Sequence, residues 1–284
     1  MKIGLISSVG RNDKYGYQYN EFNKLFINNL ASFSDHFIVI STSKYSDKEL
    51  YKHSKIEYIS NEKTWFNLEN GRELFSFEIF NRNLNYCMQK LKDYGYDIAL
   101  AISITNYIPK SSIEFLKKHC LKMLRKEESY THYYKRYLCG NLLFNADIAD
   151  PFILNLKVDE PWKIGVDSCY NNKTGKIARI NSGNFKKFNK MAIVDVPWEL
   201  TLQDAKEKSE FTIAEYRKQN NTYDPSKPEL FQFNEKEWLN YHQFKINRKK
   251  LSNDKLDKIG ERINELRKEN FISHILEKNY KYSK

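Results

Sequence analysis

The sequence predicts an α/β protein: a mainly parallel sheet flanked by helices, with a helical C-terminal extension. Three observations predict it. Short apolar runs suited to buried strands alternate with segments of 3.6-residue periodicity up to about Arg125. The strand ends are followed by polar, Gly- or Asn-containing turns. Beyond Pro228 the strand signals stop, and two Lys- and Arg-rich helical patterns follow.

Lys2–Ser8 is a compact apolar run, the first strand, followed by a polar loop over Val9–Tyr19. Asn20–Phe33 sets Phe22, Leu25, Phe26, Asn29 and Leu30 at helical spacing. His36–Ser41 (HFIVIS) is a second buried strand, closed by the polar cluster Thr42–Asp47, and Lys55–Ser60 alternates like a third. This β-α-β unit with a further strand opens a doubly wound, Rossmann-like sheet. Leu74–Tyr94 is the next helix, with Phe77, Phe80, Leu84, Cys87, Met88 and Leu91 along one face. After Tyr94-Gly95 comes the strand Asp97–Ile102, then a polar turn. Ser111–Leu124 follows as a helix with Ser111 or Ser112 as N-cap and Glu114 in its first turn.

From Arg125 the pattern loosens. Tyr137–Asn145 reads as a strand, Val158–Asp167 as a loop or helix entry, and Lys176–Asn181 as one arm of a hairpin turned at Asn172–Gly175. Pro197-Trp198 breaks the chain, and Leu202–Gln219 is a polar helix. Tyr223–Pro228, with two prolines in six residues, is the linker. The expected organisation is therefore a domain over 1–222 and a basic helical extension over 223–284. In the extension, Glu235–Lys250 and Asp254–Lys278 are helical. The apolar positions Leu256, Ile259, Ile263, Leu266, Ile272 and Leu276 await either the main domain or a second subunit, so an oligomer is one expectation.

A net charge of +11 and a pI near 9.2 call for an anionic partner: nucleotide phosphates, acidic lipid headgroups or nucleic acid. Nucleic acid ranks last, because the cations are interspersed with acids and no recognition motif is present. The N-terminus lacks the apolar stretch and cleavage pattern of a secretory signal, and no window approaches the ~20 apolar residues of a spanning helix. The expected location is cytoplasmic, at most peripheral to the inner face of a membrane, where KINRKK (Lys245–Lys250) and Lys278–Lys284 suit anionic lipid. The four cysteines form no CxxC pair, which argues against zinc and disulfides. Gly4 and Gly10 make no GxGxxG, so no dinucleotide fingerprint is present. His119 and His132 lack an acidic or His partner at i+4 and read as structural.

Taken in order, HFIVIS, the pair Arg82-Asn83 in FNRNLNYCMQKL, and YDIALAISITNYIP (Tyr96–Pro109) resemble the GT-A-fold glycosyltransferases. The likeness is to the large inverting family that builds bacterial surface polysaccharides, lipopolysaccharide and capsule among them. It covers roughly residues 1–200. CGNLLFNADIADP (Cys139–Pro151) and VDEPWKIGVD (Val158–Asp167) are similar to that family's acceptor segment and acidic pair. The resemblance implies a GT-A-like fold, a nucleotide-sugar donor and a glycan or lipid-linked acceptor. It also implies a carboxylate that takes the acceptor proton during inversion.

One departure stands out: the DxD turn of that family reads Ser103-Ile104-Thr105 here. Two hydroxyls cannot replace the two charges that hold a divalent cation, so no metal is expected at that turn and no other cofactor is implied. Phosphate charge must then fall to Arg and Lys, with Arg11, Arg72, Arg82, Lys110, Arg179 and Lys186 as candidates. The expected donor-site residues are Ser8, Gly10, Arg11, Thr42, Arg82, Ser103, Thr105 and Asn106. The first of these follow strand one, where open α/β sheets place ligands. Asp159 and Glu160, set in a turn before Pro161, are the expected base, with Asp147, Asp150 and Asp167 as alternatives. Asn141 and Trp162 are expected at the acceptor. The competing expectation is a catalytically silent GT-A-like binding or assembly protein that has lost its DxD.

Overall fold

The computed structural model describes residues 1–10, 20–139, 142–158, 162–164, 168–171, 174, 177–179, 192–195 and 252–268. The expected helices over 202–219 and 235–250, and the linker over 223–228, lie outside them.

The alternating half is as expected, within a few residues at each end. β1 (Ile3–Val9), α1 (Asn20–Phe33), β2 (His36–Ser41) and β3 (Ile56–Ile59) come first. A small hairpin follows, β4 (Leu68–Glu69) and β5 (Arg72–Glu73), turned at Asn70-Gly71 with both φ values positive, 52° and 75°. Then come α2 (Phe77–Asp93), β6 (Ile98–Ala101), β7 (Asn106–Tyr107) and α3 (Lys110–Arg125). Strands β3, β2, β1 and β6 lie side by side in that order and all run parallel. Both faces are covered, which is why these strands are continuous apolar runs. Ile3, Leu5 and Val9 with Phe37, Val39, Ile98 and Leu100 meet Ile27 and Leu30 of α1 and Leu116 and Met123 of α3. On the other face Ile6, Ile38, Ile40 and Ala99 meet Leu84, Cys87 and Leu91 of α2.

The second half extends the same sheet. β8 (Tyr130–Cys139) and β9 (Leu142–Asn155) form a long antiparallel ribbon, and β9 pairs antiparallel with β6. β13 (Ala192–Asp195) runs parallel to β8 and carries β7 on its other edge, completing an eight-stranded sheet. β10 (Trp162–Ile164), β11 (Ser168–Asn171) and β12 (Ile177–Arg179) make a separate antiparallel sheet. The hairpin expected around Asn172–Gly175 is thus present. α4 (Asn253–Lys268) packs on α3 and β13.

Three expectations are corrected. Tyr137–Asn145 is two antiparallel arms joined at residues 140–141, with Leu138 opposite Leu143. Val158–Asp167 contains the strand β10, held because the Asn85 side chain bonds both backbone groups of Ile164, at 2.9 Å each. The third concerns α3, which starts at Lys110 with Pro109 at its N-cap and no local side-chain cap, so neither Ser111 nor Ser112 caps it. The missing acceptor comes from α4, where Asp257 Oδ1 receives the Lys110 N–H at 2.9 Å.

Candidate functional site

Strand order alone places a crevice. The chain moves from β1 outward through β2 to β3, then returns to the other side of β1 for β6. Peptides leaving the carboxyl ends of β1 and β6 therefore diverge, and open α/β sheets bind ligands at such a switch point. Ser8, Val9 and Gly10 border it on one side, and the turn after β6 borders it on the other.

Thr42 is fastened to the end of β1. Its N–H and its hydroxyl both donate to the Val9 carbonyl, at 2.7 and 3.0 Å. A Cβ on Gly10 would lie 3.8 Å from Thr42 Oγ1, so the two are neighbours at the rim. Ser41 and Ser43 close the next turn on themselves. Ser41 Oγ donates to the Ser43 carbonyl at 2.7 Å, and Ser43 Oγ donates to the Glu73 carboxylate.

The turn after β6 is also closed internally. Asn106 N–H donates to the Ser103 carbonyl at 3.0 Å, and Ser103 N–H donates to Asn106 Oδ1 at 3.3 Å. The Ser103 and Thr105 hydroxyls bond each other at 2.8 Å. Asn106 is fully buried and Thr105 nearly so, which leaves Ser103 as the half-exposed member. Ser103-Ile104-Thr105 is thus a self-bonded rim. Among the described residues, no group of three or more His, Cys, Asp or Glu could hold a metal ion.

Arg82 and Asn83 sit in α2, and both hold one loop. The Arg82 guanidinium donates to the Lys63 carbonyl, and Asn83 Nδ2 donates to the Thr64 carbonyl at 2.9 Å. The structure therefore places Thr42 beside Gly10 at the end of β1, with Ser8 just before, and puts Ser103 at the end of β6 with Thr105 and Asn106 behind it; it gives Arg82 a fastening role. Lys110 is paired with Asp257 at 3.2 Å. Arg11, Asn141, Asp159, Glu160, Asp167 and Lys186 lie outside the described residues. Arg72, Trp162 and Arg179 are placed by backbone alone, in β5, β10 and β12.

Sheet direction bears on the carboxylates. Because β9 is antiparallel to β6 with Asn155 opposite Ile98, the chain from Asn155 to Val158 leaves at the amino edge, away from the crevice. Upstream of Phe152, β9 instead runs past the carboxyl end of β6. Its register against β8 is broken there. His132 faces Phe152 and Tyr133 faces Asp150, so Pro151 is extra, and a second irregularity spans the Ala149 to Asn145 pairings. Proline has no N–H for the ladder, and bulges re-aim neighbouring side chains, often beside active sites. Asp150 and Asp147 therefore sit, by backbone, at two bulges on the crevice side of the sheet. The sequence carried this signal as ADIADP.

Two buried thiols and one half-buried histidine lie elsewhere in the described core. Burial pushes the Cys87 and Cys120 thiols up to about 12, so both stay protonated, free and unreactive. Burial also lowers His119, which favours its neutral form. Among the described residues, no helix is long and apolar enough to cross a membrane.

These features define an α/β protein with a switch-point crevice at the carboxyl edge of a mainly parallel sheet. No protein-family model and no curated protein matches the sequence. Among solved structures the chain is similar to S. aureus TarS 1-349, at 12% identity over 85% of this chain and 72% of that one, with a TM-score of 0.38. The same fragment in complex with UDP-GlcNAc gives 12%, the same coverage and a TM-score of 0.36. Another S. aureus TarS crystal structure gives 14% over 85% of this chain and 43% of that one, with a TM-score of 0.32.

Proposed function

We propose that this chain is a glycosyltransferase, moving a sugar from a nucleotide-sugar donor to a glycan or lipid-linked acceptor in surface-polysaccharide assembly. The observation that carries the reading is the switch-point crevice between β1 and β6. Ser8 and Gly10 stand at its β1 side, with Thr42 fastened beside them, and Ser103 at its β6 side; the resemblance assigns all four to a donor site.

In this reading the diphosphate lies against Ser8–Gly10 with Arg11 as its cation. The acceptor hydroxyl loses its proton to a carboxylate while its oxygen attacks the anomeric carbon, and the nucleoside diphosphate leaves with the bonding electrons. Inversion and independence from a divalent cation are part of the proposal. Ser103 and Thr105 bond each other and carry no charge with which to hold a cation. For the base, the register of β9 supports Asp150, because β9 takes it past the carboxyl end of β6; Asp159 and Glu160 lie outside the described residues.

Calorimetry against UDP-, GDP-, CMP- and dTDP-sugars, in Mn²⁺ and in EDTA, is the test. Binding of one of them with equal affinity in EDTA is expected, and binding of none overturns the reading. Turnover then assigns the base: Asp150→Asn is expected to lose activity at least about 100-fold, with Asp159→Asn and Glu160→Gln close to wild type. The uncharged, internally bonded turn after β6 also favours a second reading, a silent nucleotide-sugar binder. Binding without transfer to any glycan or lipid-linked acceptor, and without donor hydrolysis, would establish that one instead.

A further inference from the structure

The rim turn is the start of a segment that the C-terminal helix grips. Ser103–Asn106 runs directly into β7, and β7 into Pro109 and α3. Along this stretch the Tyr107 hydroxyl donates to Asp257 Oδ1 at 3.2 Å, and the Lys110 N–H reaches the same oxygen at 2.9 Å. Lys110 Nζ lies 3.2 Å from Asp257 Oδ2. Asp257 is buried, at 6% exposed, and Tyr107 is at 1%. Burial, followed by the Asp257 carboxylate, pushes the Tyr107 phenol well above its ordinary range, so it remains a donor. One turn further along α4, a Cβ on Gly260 would fall 2.2 Å from Pro109 Cβ. Only glycine lets the helix lie this close. A mid-helix glycine costs about 1 kcal/mol relative to alanine, and the approach to Pro109 gives it a reason to be there.

We infer that Asp257 is a positioning residue for the crevice: by holding Tyr107 and Lys110 it fixes the Ser103–Asn106 rim, so ligand binding at the rim and docking of α4 are coupled. The connection is short and stiff. Asn106 is both the first residue of β7 and the group that holds Ser103, through its own N–H and its side-chain oxygen. A shift at Tyr107 therefore moves Ser103. The ligand class, a nucleotide sugar, rests on the function proposed above; the mechanical coupling does not.

Backbone hydrogen exchange of the intact chain separates the two. Asp257→Ala is expected to speed exchange at residues 103–110 about tenfold or more, leaving β2 amides at wild-type rates. Tyr107→Phe, which keeps the ring and removes the hydroxyl's contacts with Asp257 Oδ1 and, at 3.4 Å, the Asn253 carbonyl, is expected to do the same more weakly and is the decisive variant if Asp257→Ala does not fold. With whichever nucleotide sugar binds wild type, Asp257→Ala is expected to raise Kd about tenfold, and that ligand to slow exchange at 253–260 by a matching factor, since coupling is reciprocal. Fraying of α4 with unchanged exchange at 103–106 overturns the inference and leaves Asp257 a stability residue. If no nucleotide sugar binds wild type, the function proposed above fails, while exchange at 103–106 still decides whether α4 holds the rim.

Discussion

Asn29 shows what a side chain can do that its spacing conceals. In sequence it falls among Phe26 and Leu30 on the inward stripe of α1, a polar residue in an apolar place. In the structure its amide acts as a mock strand partner. Nδ2 donates to the Ile108 carbonyl at 3.0 Å, and Oδ1 accepts the Ile108 N–H at 2.8 Å. Asn85 treats Ile164 in the same way. The abundant asparagines, which composition alone explains equally well by an AT-rich genome, are here partly backbone fasteners. Asn29→Ala should therefore cost more than a surface substitution, because it strands the buried Ile108 N–H and carbonyl; about 2–4 kcal/mol is expected in urea unfolding. Glu57 gives a prediction with a sign. Burial alone would raise its carboxyl, but hydrogen bonds from Lys90, at 2.9 Å, and His36, at 3.3 Å, outweigh it and hold it below the usual carboxylate range. A depressed carboxylate stabilises the fold above its unfolded pKa and loses that contribution as pH falls through the folded one. Wild type should thus melt above Glu57→Gln at pH 7, and the gap should close as pH drops below about 4.5. A gap independent of pH would assign the effect to packing.

Elements were legible to the extent that burial wrote a period into them. Strands covered on both faces and helices with one apolar stripe left clear patterns, so β1–β3, β6 and α1–α3 emerge within a few residues of expectation, while the two-residue strands β4, β5 and β7 were not read. The β8–β9 ribbon did not, because its arms mix Tyr, Lys, Arg and Asp. Its register is broken by bulges, and sequence gives no sign that YLCGNLLFN doubles back at 140–141. The start of α3 was misread for a different reason. Its cap is Asp257, on an element 147 residues away, and a local rule has no access to it. The packing of α2 on the sheet carries a testable close approach. A Cβ on Gly4 would lie 2.5 Å from both Leu91 methyls, and Leu91 is itself fully buried, so it has nowhere to swing. Gly4→Val is expected to destabilise by about 1–3 kcal/mol through overpacking. Leu91→Ala in the same chain should recover part of that loss beyond additivity, since the two sites touch. Additive losses would show that β1 and α2 separate there without strain.

At the scale of the molecule, the parallel strands give the sheet an amino and a carboxyl edge, and the described charges are paired differently at each. The amino edge is neutralised: Asp97 takes the Lys2 N–H at 2.6 Å and Lys157 at 3.3 Å, while Glu57 takes Lys90. At the carboxyl edge the described cations of the candidate site are already engaged, Arg82 on the Lys63 carbonyl and Lys110 on Asp257. Of the cations read from sequence, Arg11 follows directly on the Ser8–Gly10 rim, and that adjacency was legible from the end of the first strand alone. What sequence could not divide was the pair Arg11 and Arg82, both arginines in the right motifs. The fold gives Arg82 a partner in the Lys63 carbonyl, while Arg11 lies outside the described residues. If the crevice binds a nucleotide diphosphate through Arg11, Arg11→Ala should raise Kd about tenfold or more and flatten the dependence of affinity on salt, because a charge-assisted phosphate contact is lost. Arg82→Ala should leave Kd and its salt dependence near wild type and lower stability by about 0.5–1.5 kcal/mol, the worth of one hydrogen bond. Titration of both variants at low and high salt, beside their urea unfolding curves, distinguishes the roles. The reverse outcome, with affinity following Arg82, would move the phosphate site from the end of β1 to the loop after β3 and make the Lys63 contact a resting position of the guanidinium.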